Sequence, residues 1–110
     1  MENEYPKLVR DRIPEIIKSK TGKEPEQKIL TDDQEYLDYL LKKMVEEATE
    51  LQRSGEQNNL NEELADVMEV IAAIMELKKI DPLEIAKIKA EKLDKRGGFA
   101  KRILMLGKVT

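Results

Sequence analysis

Apolar residues recur every three or four positions over two long stretches of the chain, and this spacing predicts two amphipathic helices. The first is predicted to begin at residues 31–34, where Thr31 and Gln34 form a capping-box pattern, and to end at Ser54. The second is predicted to run from the cap residue Asn59 to about Lys79. Its apolar face is the wider one, as expected for a helix that packs on more than one side. The two stripes are Leu37, Leu40, Leu41, Met44, Ala48 and Leu51, and then Leu64, Val67, Met68, Ile71, Ile74, Met75 and Leu77.

Two shorter helices are predicted on either side of this pair. Pro14 can open a helix that reaches about Lys20, because proline is tolerated in the first helical turn. Asp81 and Pro82 predict the cap and first residue of another helix, which should end at Gly97. The predicted fold class is therefore all-α.

The ends of the chain have no clear period. Residues 27–30 can be extended, and residues 103–106 are too short to separate strand from helix, so a minor strand pair between them is an open alternative. We expect one domain over residues 1–110, made of an N-terminal arm, a helical core and a C-terminal tail at 1–30, 31–97 and 98–110.

The composition excludes several kinds of chemistry. The chain has no Cys and no His, which excludes disulfides, thiolate or imidazole metal sites and nucleophiles activated by histidine. Aromatic residues make up only 4%, few for stacking many bases. No apolar run is long enough to span a membrane and no secretory leader is evident, so a cytoplasmic protein without a membrane partner is expected.

Charge is distributed unevenly along the chain. Residues 32–86 carry fifteen acidic and five basic side chains, whereas residues 87–110 carry eight basic and two acidic ones, within a net charge of −3. The simplest account is attraction between oppositely charged helix surfaces, but a site with carboxylates for a metal and cations for phosphates also fits. No stable nucleic-acid partner is expected, because such proteins favour an overall basic surface.

Four carboxylates stand at helical spacing on the two long helices. Glu47 and Glu50 are three residues apart, as are Glu63 and Asp66, so each pair projects from one side of its helix. If the helices pack antiparallel, the pairs can face each other near the connecting segment. Oxygen ligands suit Mg²⁺ or Mn²⁺, which often serve phosphoryl chemistry. The spacing alone is equally compatible with two solvated acidic faces.

Three ordered motifs resemble a known superfamily. Glu46-Glu47-x-x-Glu50, followed after twelve residues by Glu63-x-x-Asp66, is similar to the signature of the MazG-like all-α nucleoside triphosphate pyrophosphohydrolases. The stretches KLVRDRIP at 7–14 and KRGGF at 95–99 resemble the opening and closing motifs of its single-domain, phosphoribosyl-ATP pyrophosphohydrolase-like branch.

The resemblance implies a fold, a reaction and a set of site residues. The fold would be a MazG-like helical bundle completed by oligomerisation, with a homodimer as the simplest assembly. Glu47, Glu50, Glu63 and Asp66 would be the Mg²⁺ ligands, and the reaction would split the α–β phosphoanhydride of a nucleotide into a monophosphate and pyrophosphate. Glu46 is the candidate general base, although an exposed helical glutamate is an equal alternative.

Six cations near the ends of the chain are candidates for phosphate contacts. Lys95 and Arg96 would also be explained by their place in the last turn of a helix, where they meet its dipole. In a dimer, the basic tail of one subunit could reach the acidic cluster of the other. The six candidate substrate-binding residues are Lys7, Arg10, Arg12, Lys92, Lys95 and Arg96.

The expected function is Mg²⁺-dependent nucleoside triphosphate pyrophosphohydrolysis that removes noncanonical or surplus nucleotides. Two alternatives stay open at this point. One is a non-enzymatic helical interaction module, and the other is a related hydrolase acting on phosphoribosyl-ATP or another pyrophosphate-containing metabolite. The sequence has no evident signal for phosphoribosyl-ATP itself.

Overall fold

The computed structural model describes residues 5–54 and 59–109, which form four α-helices. No strand occurs in these residues, so the all-α class is confirmed and the pairing considered for residues 27–30 and 103–106 is not formed. The helices are α1 (Ile13–Thr21), α2 (Asp33–Arg53), α3 (Leu60–Lys78) and α4 (Pro82–Arg96).

Helix α2 is capped one residue later than predicted. The carboxylate of Asp32, not the hydroxyl of Thr31, accepts a hydrogen bond from the Glu35 N–H at 2.9 Å. Asp32 and Glu35 have the same spacing as Thr31 and Gln34, so the sequence offers two registers for the cap. The carboxylate is favoured because its charge also meets the positive end of the helix.

The starts of α3 and α4 differ in how they are capped. Asp81 accepts from the Leu83 N–H at 2.9 Å, which confirms the predicted cap of α4. The side-chain cap predicted for Asn59 is wrong, because its Oδ1 has no hydrogen-bond partner among the described residues. Its backbone carbonyl accepts from the Glu63 N–H at 3.1 Å instead. The rest of the predicted linker, residues 55–58, lies outside the described residues.

Helices α2 and α3 pack against each other and hold the small core. Because only residues 54–59 connect them, the two helices run antiparallel, as in an αα-hairpin. Leu40 on α2 and Val70 on α3 are the hydrophobic side chains of the described part that are buried, at 2% and 7% exposed. Much of both apolar stripes stays exposed, including Leu41, Val45, Leu64, Met68 and Ile71.

The chain divides into two compact units, residues 1–78 and residues 79–110. Among the described residues, the first contains α1, α2 and α3, and the second contains α4, which has no buried residue. In the second unit Gly97, with φ at 78°, follows the last residue of α4 and ends that helix. One domain over residues 1–110 stays a prediction. The described helices include none with the length and hydropathy needed to cross a membrane.

Candidate active site

Three carboxylates from two helices converge where α2 and α3 pack together. Glu47 lies in the last third of α2, and Glu63 and Asp66 lie near the start of α3. Each offers one oxygen, and these oxygens all lie within 4.8 Å of one another. The three-residue spacing of Glu63 and Asp66 puts both on one side of α3, and the antiparallel packing brings Glu47 to that side. Three of the four predicted metal ligands are thus brought together.

Glu50, the fourth predicted ligand, stands outside this group of three. It lies one turn beyond Glu47 on α2, and its Oε1 is 3.9 Å from Nη1 of Arg53. Its side chain is mostly buried, at 23% exposed. Its role as a ligand stays a prediction.

Lys43 is a part of the site that the sequence analysis missed. Its ammonium lies 3.3 Å from Oε2 of Glu46 and 3.5 Å from Oε1 of Glu47. The three side chains are only 17%, 20% and 12% exposed. The available signal was the placement of Lys43 three and four residues before two glutamates, since such side chains are neighbours on a helix. One cation therefore bridges the candidate base and a candidate metal ligand.

Arg10 is a predicted phosphate-binding residue, and the fold brings it to the cluster. Its Nη2 donates a hydrogen bond to Oδ1 of Asp66 at 2.8 Å. The pair joins the segment before α1 to α3, although the residues are 56 positions apart in sequence. Both side chains are partly exposed, so the ion pair is accessible to ligands from solvent.

The other predicted cations precede α1 or lie on α4. Arg12 pairs with Glu15 at 3.4 Å on the exposed face of α1. Nζ of Lys7 lies 5.6 Å from the centre of the Tyr5 ring. Three further candidates, Lys92, Lys95 and Arg96, are exposed on α4 in the second unit.

The acidic cluster perturbs one of its members. Burial raises the pKa of the Glu47 carboxyl above its ordinary value of 4.5, and the neighbouring charge of Asp66 raises it further. Lys43 acts in the opposite direction without cancelling the effect. Ionised Glu47 is therefore costly without a second positive charge nearby.

The donor set fits a hard divalent cation. The cluster offers only carboxylate oxygens, and Mg²⁺ and Mn²⁺ prefer oxygen ligands. A divalent ion among Glu47, Glu63 and Asp66 would also favour the ionised form of Glu47, against the burial and the Asp66 charge that raise its pKa. These three side chains can thus hold such an ion.

Comparison with known families decides the class of chemistry. A family model described as phosphoribosyl-ATP pyrophosphohydrolase matches residues 10–92 of the 110. The chain belongs to this family. The match confirms the resemblance found in the sequence motifs and shows a hydrolase that acts on phosphoanhydride bonds. Searches of curated proteins and of solved structures each gave no significant match.

The range matched by the pyrophosphohydrolase family contains the whole carboxylate cluster. It begins at Arg10, the partner of Asp66, and ends at Lys92. Lys7, Lys95 and Arg96 lie outside it. The roles of all the candidate site residues, inside and outside this range, stay predictions.

Proposed function

We propose that the protein is a Mg²⁺-dependent nucleoside triphosphate pyrophosphohydrolase that releases a nucleoside monophosphate and pyrophosphate. The observation that carries this proposal is the convergence of Glu47, Glu63 and Asp66 in a chain of a phosphoanhydride-hydrolase family. Removal of noncanonical or surplus nucleotides is the biological role that we infer for this activity.

The metal would be held by Glu47, Glu50, Glu63 and Asp66, with Mn²⁺ as an alternative to Mg²⁺. A bound divalent ion supplies neutralisation of phosphate charge and lowers the pKa of a coordinated water. Antiparallel packing of α2 and α3 supports this ligand set, because it brings three of these carboxylates together.

The remaining steps depend on side chains around the cluster. Glu46 would accept a proton from a water whose oxygen bonds to the α-phosphorus, while the bond from that phosphorus to the bridging oxygen breaks and pyrophosphate leaves. Two observations support this role. Glu46 is adjacent to Glu47 on α2, and its ion pair with Lys43 holds the Glu46 carboxylate at the edge of the site. Arg10, already beside Asp66, would contact the phosphates.

A second substrate is favoured by the description of the matched family, which names phosphoribosyl-ATP. The same carboxylates would serve, because that compound contains the same α–β phosphoanhydride. The family match disfavours the non-enzymatic interaction module considered from the sequence, because the family is a hydrolase family.

Product analysis separates these functions. Purified protein with Mg²⁺ is incubated with standard and modified nucleoside triphosphates and with phosphoribosyl-ATP, and pyrophosphate and monophosphate are quantified. The Glu63→Gln variant is the inactive control, and Glu62→Gln, an exposed neighbour, is the matched one. Pyrophosphate release from triphosphates supports the proposal. Release from phosphoribosyl-ATP alone supports the second substrate, and release from nothing contradicts both.

We also propose that the protein is a homo-oligomer, most simply a dimer. The exposed apolar side chains on α2 and α3 support self-association, because a helix pair with so small a core gains stability when a second copy covers it. Basic residues of one subunit, such as Lys92, Lys95 and Arg96, would then be available to the phosphates bound by the other.

A further inference from the structure

We propose that Lys43 is a positioning residue of this site, which holds the Glu46 carboxylate in place beside Glu47 and acts on the reaction through Glu46. The inference rests on the proposed hydrolytic function. It adds a residue that neither the sequence motifs nor the carboxylate cluster assigns.

The two ion pairs of Lys43 are unusually protected from solvent. The side chains of Lys43, Glu46 and Glu47 are each at least four-fifths buried. By contrast, the pairs Arg12–Glu15 and Lys18–Glu24 are more than half exposed on both sides. Exposed ion pairs hold side chains weakly, because water and salt screen them, whereas shielded pairs constrain geometry more strongly.

Glu46 needs such a constraint. Glu46 and Glu47 are adjacent on α2, and two neighbouring carboxylates repel each other. Without Lys43, the Glu46 side chain would be favoured to turn away from Glu47 and towards water. With Lys43 between them, both carboxylates stay within 3.5 Å of the same ammonium.

The positive charge of Lys43 also affects metal binding, in the direction opposite to its effect on the chemical step. The ammonium lies 3.5 Å from a proposed ligand, so it repels a divalent ion bound there. Lys43 should therefore weaken metal binding while it supports the chemical step. A residue needed only for folding would affect the two in the same direction.

The test compares Lys43→Met with Lys42→Met in the full chain. Lys42→Met is the matched control, because it removes the same charge one position away. Nζ of Lys42 lies 4.8 Å from the centre of the Tyr39 ring. Mn²⁺ binding is measured by calorimetry without nucleotide, and steady-state kinetics are measured on the best nucleotide. In Lys43→Met we expect Mn²⁺ affinity to rise about threefold or more from lost repulsion. We expect kcat to fall about 10- to 100-fold with KM within about twofold.

Two further variants test the route through Glu46. Lys43→Met combined with Glu46→Gln should have the kcat of Glu46→Gln alone within about twofold, because the two residues act as one unit. Lys43→Arg keeps the charge and should restore wild-type Mn²⁺ affinity and most of kcat. If Lys43→Met does not fold, Lys43→Gln replaces it, with the same two opposite changes expected.

Several results overturn the proposal. The first is a Lys43→Met variant with the same Mn²⁺ affinity and kcat as Lys42→Met. The second is a raised KM with unchanged kcat, and the third is a loss of both metal affinity and kcat. The fourth is additive losses of kcat in the double variant. Wild-type protein that neither binds Mn²⁺ nor hydrolyses any nucleotide overturns the proposed function itself and this inference with it. An active wild type with a failed Lys43 test overturns the inference alone.

Discussion

Arg10 and Asp66 form a direct ion pair, with Nη2 and Oδ1 2.8 Å apart, between the segment before α1 and the start of α3. A candidate phosphate-binding residue thus forms an ion pair with a candidate metal ligand. The guanidinium neutralises part of the acidic cluster. A divalent ion and Arg10 would then compete for Asp66, and metal binding would make the guanidinium available to a phosphate.

Replacing Arg10 with Met should separate these two roles. We expect tighter Mn²⁺ binding, because a competing cation is removed, and a KM raised about tenfold, because a charged hydrogen bond to phosphate is lost. Calorimetry and steady-state kinetics measure the two effects. Lys18→Met, which breaks the exposed pair with Glu24, is the control. Unchanged metal affinity in Arg10→Met would contradict the competition.

Loss of a cluster carboxylate should remove activity without unfolding the protein. For Asp66→Ala, kcat should fall at least about 100-fold, because a metal ligand is lost. Its melting temperature in chelator should stay close to that of wild type. Glu69→Gln, an exposed change one turn further along α3, should behave as wild type. An Asp66→Ala protein that unfolds, but keeps full activity in its folded fraction, would make Asp66 structural.

Glu50 needs a test of its own, because it stands outside the group formed by the other three carboxylates. If Glu50 is the fourth ligand, Glu50→Ala should weaken Mn²⁺ binding and abolish hydrolysis. Arg53→Met removes the guanidinium near Glu50 but keeps the Glu50 carboxylate, so metal binding should persist. Equal Mn²⁺ affinity in Glu50→Ala and wild type would remove Glu50 from the site.

The raised pKa of Glu47 predicts how metal-free stability depends on pH. Because the folded-state pKa lies above the ordinary value of 4.5, this group's contribution to stability is fully present below 4.5 and is lost as pH rises through the folded-state pKa. In chelator, Glu47→Gln should therefore melt above wild type near neutral pH, and the difference should shrink towards pH 4.5. Thermal melts across this range measure it.

The same variant should behave in the opposite way with metal. Excess Mg²⁺ should stabilise wild type by binding its folded state, and Glu47→Gln should gain less stability. Glu62→Gln, an exposed change on α3, is the control in both series. A difference in chelator that stays constant with pH would show that ionisation of Glu47 is not the cause.

Self-association should depend on the exposed apolar side chains of α2 and α3. Met68 is 68% exposed in the single chain, so Met68→Lys should have little effect on a monomer but should disrupt a dimer that buries this position. Light scattering at micromolar concentration measures the mass. Ile29→Lys, at a still more exposed apolar position outside the helices, is the control. A monomeric wild type that hydrolyses nucleotide would refute the oligomer.

The sequence by itself determined the helices and the class of chemistry. The three-four spacing of apolar residues predicted α2 and α3 to within a few residues, because helical periodicity is a local property. The absence of Cys and His restricted a metal site to oxygen ligands. The ordered motifs identified the superfamily, which the family match confirmed.

Only the tertiary structure decided which of the many charged side chains meet. Local spacing could not distinguish solvated acidic faces from a cluster, because the distance from Glu47 to Glu63 and Asp66 depends on how α2 packs on α3. Arg10 reaches Asp66 across 56 residues, a contact without a local signal. Lys43 had a local signal, but its importance comes from burial, and burial is a property of the packed chain.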